Sequence, residues 1–377
     1  MIASKTTTMP VPASAPVRLT IALGAIAANW RALRARAGRA ECAAVVKADA
    51  YGLGASEVVP VLWREGCRTF FVATVDEGIA VRACAPEAVV PVLAGVLPES
   101  EQPLLDHRLV PVINSRDQLR SWQAVARRTG SRLKTVLQLD SGLTRLGLDR
   151  NDLRYLATHP ELLASLDITL IMSHLACADT PDHPQNARQL EAFRTLSSQL
   201  PTGIPRSLAA SSGIFLGEDY LFDLVRPGAA LFGINPVPGR PNPMLPVVRL
   251  DARILQVREV DSGQTVGYGA TYSVVGRSRI ATIGIGYADG WMRSLGNRGH
   301  AVVGNHVVPV VGRISMDLTT LDFTELPPGL GHEGDWVNLI GPTQSIDSVA
   351  EQAGTIGYEL LTQLSRRAFR HYLRDPP

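Results

Sequence analysis

Several features are scarce or missing in this chain, and each absence excludes a class of protein. Its 377 residues hold only four cysteines (Cys42, Cys67, Cys84 and Cys177), irregularly spaced and without a C-x-x-C pair. That excludes a disulfide framework or a zinc knuckle and implies reduced thiols in a cytoplasmic protein. Charge of one sign is missing too: 37 Lys and Arg stand against 35 Asp and Glu, mixed along the chain, for a net charge of +2. Without a basic stripe to neutralise phosphates, nucleic-acid binding is not expected. No run of ~18 apolar residues is present to cross a membrane, and no ligand cluster has metal-site spacing. The opening MIASKTTTMPVPASAPV lacks the apolar core of a secretory signal. Residues 1–17 are expected to be a flexible leader.

What is present is an ordinary globular composition, 45% apolar and 19% charged, long enough for two domains. From about Leu19 to Pro246, short apolar runs alternate with helical spacing. Ile26–Arg36, Val58–Gly66 and Val75–Cys84 read as helices. Glu41–Lys47, Thr69–Ala73 and Val89–Leu93 read as strands, and the alternation continues through LVPVIN, LKTVLQLD, ITLIMSHLA, IPRSLAAS and LVRPGAALFG. About eight β–α units fit, as in a (β/α)8 barrel or a doubly wound sheet. NPVPGRPNPMLP, with five prolines in twelve residues, marks a boundary near Asn235–Pro246. Beyond it, short strands split by Gly, Asn and Pro turns predict a mostly antiparallel β domain. Ile346–Arg374 reads as helical.

The string Val45-Val46-Lys47-Ala48-Asp49-Ala50-Tyr51-Gly52-Leu53-Gly54 carries chemistry. Lys47 follows an apolar run and would sit at the carboxyl end of the first barrel strand, where barrel enzymes hold their catalytic groups. Partial desolvation there lowers a lysine's pKa and frees its amine to attack a carbonyl. A solvated lysine at a strand end is the plain alternative. The decapeptide closely resembles the cofactor-binding lysine motif of alanine racemases, pyridoxal-phosphate enzymes built from a (β/α)8 TIM-type barrel and a β domain. The resemblance recurs in order along nearly the whole chain.

It implies a barrel over residues 18–246, a β-rich domain over 247–377, and pyridoxal 5′-phosphate as cofactor. In Asp140-Ser141-Gly142-Leu143-Thr144-Arg145-Leu146-Gly147, Arg145 would contact the substrate carboxylate and the cofactor's phenolic oxygen. In Ser173-His174-Leu175-Ala176, His174 would link the catalytic tyrosine to the arginine beneath the ring. In Val225-Arg226-Pro227-Gly228, Arg226 would face the pyridine nitrogen and keep it unprotonated, weakening the electron sink and limiting transamination. Ser211, Ser212, Gly228, Ala229, Tyr51 and Tyr358 correspond to phosphate-site positions. Standing alone, each has an ordinary reading: a loop arginine, a buried histidine satisfying a carbonyl, an ion-paired arginine, common loop serines and glycines.

In the second domain, Val266-Gly267-Tyr268-Gly269-Ala270-Thr271-Tyr272 resembles the family's stretch carrying the second base, which implies that role for Tyr268 and not for Tyr272. A tyrosine serves so near neutrality only where its surroundings acidify the phenol. Gly286-Tyr287-Ala288-Asp289-Gly290 resembles the family's substrate-entry segment, with Tyr287 at its mouth, and the resemblance of Gly312-Arg313-Ile314-Ser315-Met316-Asp317 implies that the Met316 N–H meets the substrate carboxylate. The implied reaction interconverts L- and D-alanine, with Lys47 the base for D-alanine and Tyr268 for L-alanine. The implied assembly is a homodimer with shared active sites, and the implied role is D-alanine supply for peptidoglycan or alanine breakdown. Arg226 argues against decarboxylases of the same scaffold, which use an acidic partner; the β domain argues against a stand-alone barrel carrier. A broad serine/alanine racemase stays open, because two positions depart from the family. Gln138 stands where many members have a carbamylated lysine, and Ser315 where cysteine is frequent.

Overall fold

The computed structural model describes residues 12–374, and the chain divides into two compact units. The first comprises Ile26–Leu231 and Asn235–Met244. Its strands are short and parallel. Glu41–Cys42 continues as Ala44–Val45, followed around a ring by Phe70–Phe71, Pro91–Val92, Val110–Ile113, Leu133–Gln138, Leu166–Met172, Arg206–Ser207 and Leu224–Val225. The last pairs back onto Glu41–Cys42, while single bridges at Val72–Val92 and Ala210–Arg226 complete the circle. With the broken first strand counted once, this is an eight-stranded β/α barrel. Ala43, Phe71, Val112, Val136, Leu170 and Met172 form a buried cluster within it. Parallel strands covered on both faces need such near-continuous apolar runs, and each buried phenylalanine is worth about 2–3 kcal/mol.

The helices between strands start where the sequence offers a side-chain acceptor. Thr74 and Glu77 form a capping box at Val75–Cys84, Ser115 caps Arg116–Thr129, and Asp149 with Asp152 caps Arg150–Thr158. Each satisfies N–H groups that the first helical turn leaves unpaired.

The second unit gathers the residues up to Ala25, Phe232–Ile234 and the chain from Leu245 onward. The long strand Val248–Val260 is its axis, antiparallel to Val17–Ala22, Ser278–Ile283 and Trp336–Ile340. Val17–Ala22 also pairs in parallel with Phe369–Leu373. Its alternating burial sends Val17, Leu19 and Ile21 inward. Arg18 instead grips the fully buried carboxylate of Asp251, Nε at 3.2 Å and Nη2 at 2.9 Å, and Arg249 and Asn338 donate to the same side chain.

These observations amend three expectations. Val17 is a strand residue, so the leader cannot extend to 17; residues 1–11 lie outside the described part, and Pro12–Ala15 form a turn. The segment 18–25, assigned to the barrel, belongs to the β unit, because its strand has partners only there. Ile346–Arg374 is not helical throughout: helices Ile346–Ala353 and Gly357–Gln363 precede the strand Phe369–Leu373.

Candidate active site

In the barrel unit, Lys47, Gln138, His174 and Arg226 all lie at or just beyond the carboxyl ends of strands. Lys47 is half-buried and opens an unusual turn. Ala48, Asp49, Ala50 and Tyr51 take φ values of 52°, 54°, 55° and 55° in succession. Left-handed backbone costs an L-residue roughly 1–2 kcal/mol, so the turn must be held from outside. Glu77 Oε1 accepts the Ala48 N–H at 2.7 Å, and Asp49 Oδ1 accepts the Ala55 N–H at 2.7 Å. The other Glu77 oxygen takes the Ala73 N–H at 2.7 Å, so the capping residue of one helix also fixes the lysine turn.

The turn ends on the buried side chain of Tyr51. A Cβ at Gly228 would fall 2.3 Å from Tyr51 Oη, so only glycine leaves room for that hydroxyl. Ser211 Oγ accepts the N–H groups of Gly228 and Ala230 at 3.0 and 3.1 Å. Ala229 is buried at the start of the 3-10 turn Ala229–Phe232, and Ser212 is half-buried at the start of Ser212–Phe215. The result is a small cradle of hydroxyls and backbone turns.

Arg226 is 3% exposed and has no carboxylate partner among the described residues. Its donors go to Ser207 Oγ and to the carbonyls of Ser173 (2.5 Å) and Leu208 (3.5 Å). Burial pulls its pKa down to about 10, which leaves it a cation at neutral pH. His174 is pushed down to about 3, first by burial and then by the charges of Arg226, Arg145 and Lys47, so its ring is neutral. Among the described residues no hydrogen bond joins His174 to Arg226, whose Nη1 and Nη2 meet neutral oxygens. Burial, reinforced by Arg145, also lowers the Lys47 pKa, with Glu77 opposing.

Arg145 sits exposed on the loop after Leu133–Gln138 and forms no ion pair among the described residues. Asp140 Oδ1 receives the N–H groups of Gly142, Leu143 and Thr144, which ties the loop to its strand. Gln138 is buried and donates from Nε2 to the Leu146 carbonyl at 3.1 Å.

In the β unit, Tyr268 is 72% exposed on the short turn Tyr268–Ala270, whereas Tyr272 is half-buried with its hydroxyl donated to Asp322 at 2.9 Å. Tyr287 and Met316 are brought together. The Tyr287 N–H bonds the Ser315 carbonyl, the Ala288 N–H bonds the Met316 carbonyl, and a Cβ on Gly286 would lie 2.4 Å from Met316 backbone. Both side chains are exposed, and Arg367 braces the pair of loops through Asp289 and Asp317. Tyr358 is half-buried on Gly357–Gln363. The sequence reading missed Glu77 and Asp289. The T-x-x-E spacing of Thr74–Glu77 is a capping signature that would have flagged the first; the second accepts the Gly286 N–H at the same three-residue spacing, at 3.0 Å.

The sequence matches the model of the alanine racemase N-terminal domain over residues 21–236 and that of the C-terminal domain over 247–372. It is 48% identical over 370 residues to the biosynthetic alanine racemase of Agrobacterium fabrum, covering 95% of this chain and 94% of that one. Against the catabolic alanine racemase of Mesorhizobium japonicum it is 50% identical over 374 residues, covering 98% and 97%. In structure it is similar to the alanine racemase of Bartonella henselae, solved with covalently bound pyridoxal phosphate. That comparison has a TM-score of 0.92 and 41% identity, covering 95% of this chain and 100% of the other.

Proposed function

The chain belongs to the alanine racemase family, and on that premise we propose that it interconverts L- and D-alanine with pyridoxal 5′-phosphate. The observation that carries the proposal is Lys47: an amine of lowered pKa at a strand's carboxyl end, in the unit that also holds the Tyr51–Gly228 cradle. The residues fit the cofactor. Lys47 would hold its aldehyde; Tyr51, Ser212, Gly228 and Ala229, with Tyr358, would hold its phosphate. Arg226, a buried cation without a carboxylate, suits an unprotonated ring nitrogen. When bound, the cofactor supplies the electron-withdrawing ring that acidifies the α-hydrogen of an amino acid.

The rest falls to the chain's own groups. L- and D-alanine have equal free energy, so the catalyst must work in both directions, and inversion returns the proton to the face opposite the one it left. Two bases are therefore needed: Lys47 Nζ takes and returns the proton for D-alanine, and Tyr268 Oη does so for L-alanine. Arg145, without an ion pair of its own, and the Met316 N–H bind the carboxylate. Neutral His174 orients the tyrosine, and Tyr287 guards the route inward. The exposure of Tyr268 supports a homodimer in which each subunit's tyrosine serves the other's barrel. We place the enzyme in the cytoplasm, supplying D-alanine for peptidoglycan or serving alanine breakdown. Relatives named for either role share one equilibrium chemistry. No helix among the described residues is long and apolar enough to cross a membrane.

Chiral separation of L-alanine incubated with cofactor-loaded protein tests the proposal. The mixture should drift to equal L and D, and Lys47→Ala should abolish the drift. Absence of D-alanine with cofactor bound would refute it. Serine, run in parallel, should invert more slowly; the broader-specificity alternative gains no support from the relatives above, which are named for alanine.

A further inference from the structure

We propose that the barrel carries a second binding site, at the amino ends of its strands, for a small organic anion with an aromatic body. A cavity of about 400 Å³ opens there, a volume typical of small-molecule sites. Its walls include Val89, Val110 and Leu133, which precede or begin three successive strands. The site is thus at the opposite strand ends from Lys47, Gln138, His174 and Arg226.

Two observations define the ligand. The first is charge. Arg82, Arg108, Arg132 and Lys134 line the cavity against a single acid, Glu87. Arg82 spends its donors on the carbonyls of His107, Pro86, Ala88 and Arg108, so it serves as framework. Arg132 gives Nη2 to the Leu166 carbonyl, and Arg108 lies 3.6 Å from Glu87. The Lys134 side chain is exposed and has no ion pair or hydrogen bond among the described residues, leaving a whole ammonium for an incoming anion. Arg108 also holds a φ of 51°, a left-handed conformation that a non-glycine residue keeps only when its surroundings impose it.

The second is an apolar wall. Trp122 lines the cavity with its ring and is 2% exposed. Leu104 and Leu109 add an apolar floor. An aryl carboxylate meets both demands: a flat apolar body for the wall and an anionic head for Lys134 and Arg132.

The test is calorimetric titration of the cofactor-loaded enzyme with 2-naphthoate, in saturating alanine to keep the catalytic end filled. A dissociation constant between about 50 μM and 1 mM is expected for a ligand of this size. Lys134→Glu, at an exposed and unpaired position, should weaken binding about tenfold while leaving racemisation unchanged. Neutral 2-naphthamide should bind more weakly than the acid. No heat at millimolar naphthoate would overturn the proposal, as would binding of equal strength in wild type and Lys134→Glu. A heat that alanine abolishes would assign the ligand to the catalytic end and overturn it as well.

Discussion

Lys47 is one of only three lysines in the sequence, and its surroundings give it a distinct chemistry. The unprotonated amine adds to an aldehyde, and burial lowers its pKa below the ordinary 10.5. Cofactor uptake by the apoprotein should therefore rise with pH and level off below pH 10.5. Arg145 contributes to that lowering, so Arg145→Gln should move the midpoint upward; stopped-flow absorbance across pH reads it, and a midpoint unmoved or lowered would contradict the assignment. His174 behaves in the depressed sense as well. The folded protein keeps it neutral to about pH 3, while the unfolded chain protonates it near 6.5. Its contribution is complete above pH 6.5 and is lost as pH falls from there toward 3. Urea midpoints at pH 7 and pH 5 should differ less in His174→Gln than in wild type. Gly228→Ala places a methyl where Tyr51 Oη lies, so cofactor retention under dialysis should drop at least about tenfold, with the fold kept by circular dichroism.

The left-handed turn after Lys47 and the strand Val17–Ala22 show how elements are fixed by distant partners. Ala48 at φ 52° tolerates glycine but resists a β-branched side chain. Ala48→Val should destabilise by about 1–3 kcal/mol in urea denaturation and Ala48→Gly by less than about 1 kcal/mol; equal losses would show that the turn stores no strain. Asp251→Ala leaves the part-exposed Arg18 without its carboxylate and should cost about 1.5–3 kcal/mol, an effect checked by the same denaturation. The contrast in legibility follows from range. Val75–Cys84 was readable to the residue because its opening acids, Asp76 and Glu77, lie within the segment. The first strand was not, because its partners are 233 positions away at Asp251 and further still at Phe369. Phe369–Leu373 was taken for helix on the strength of the preceding TIGYELLTQL, and only its parallel pairing with Val17–Ala22 makes it a strand. The Lys47 and Arg226 motifs were legible as strings, yet the Glu77 bracket and the neutral-oxygen cage of Arg226 depend on contacts between segments.

At the scale of the whole molecule, the two units each carry part of the proposed site: lysine, cradle and arginine in one, tyrosine and carboxylate-binding loop in the other. If the tyrosine is lent between subunits, activity per chain should fall on dilution in step with the monomer fraction seen by sedimentation; constant activity in a purely monomeric sample would refute the shared site. The central claim is two bases on opposite faces, and inversion in deuterium oxide tests it most directly. Newly formed D-alanine should carry solvent deuterium at Cα from the first turnovers. Tyr268→Phe should still exchange the α-hydrogen of D-alanine while losing that of L-alanine. Exchange of both enantiomers at wild-type rates in Tyr268→Phe, or D-alanine that retains the original proton, would contradict the account.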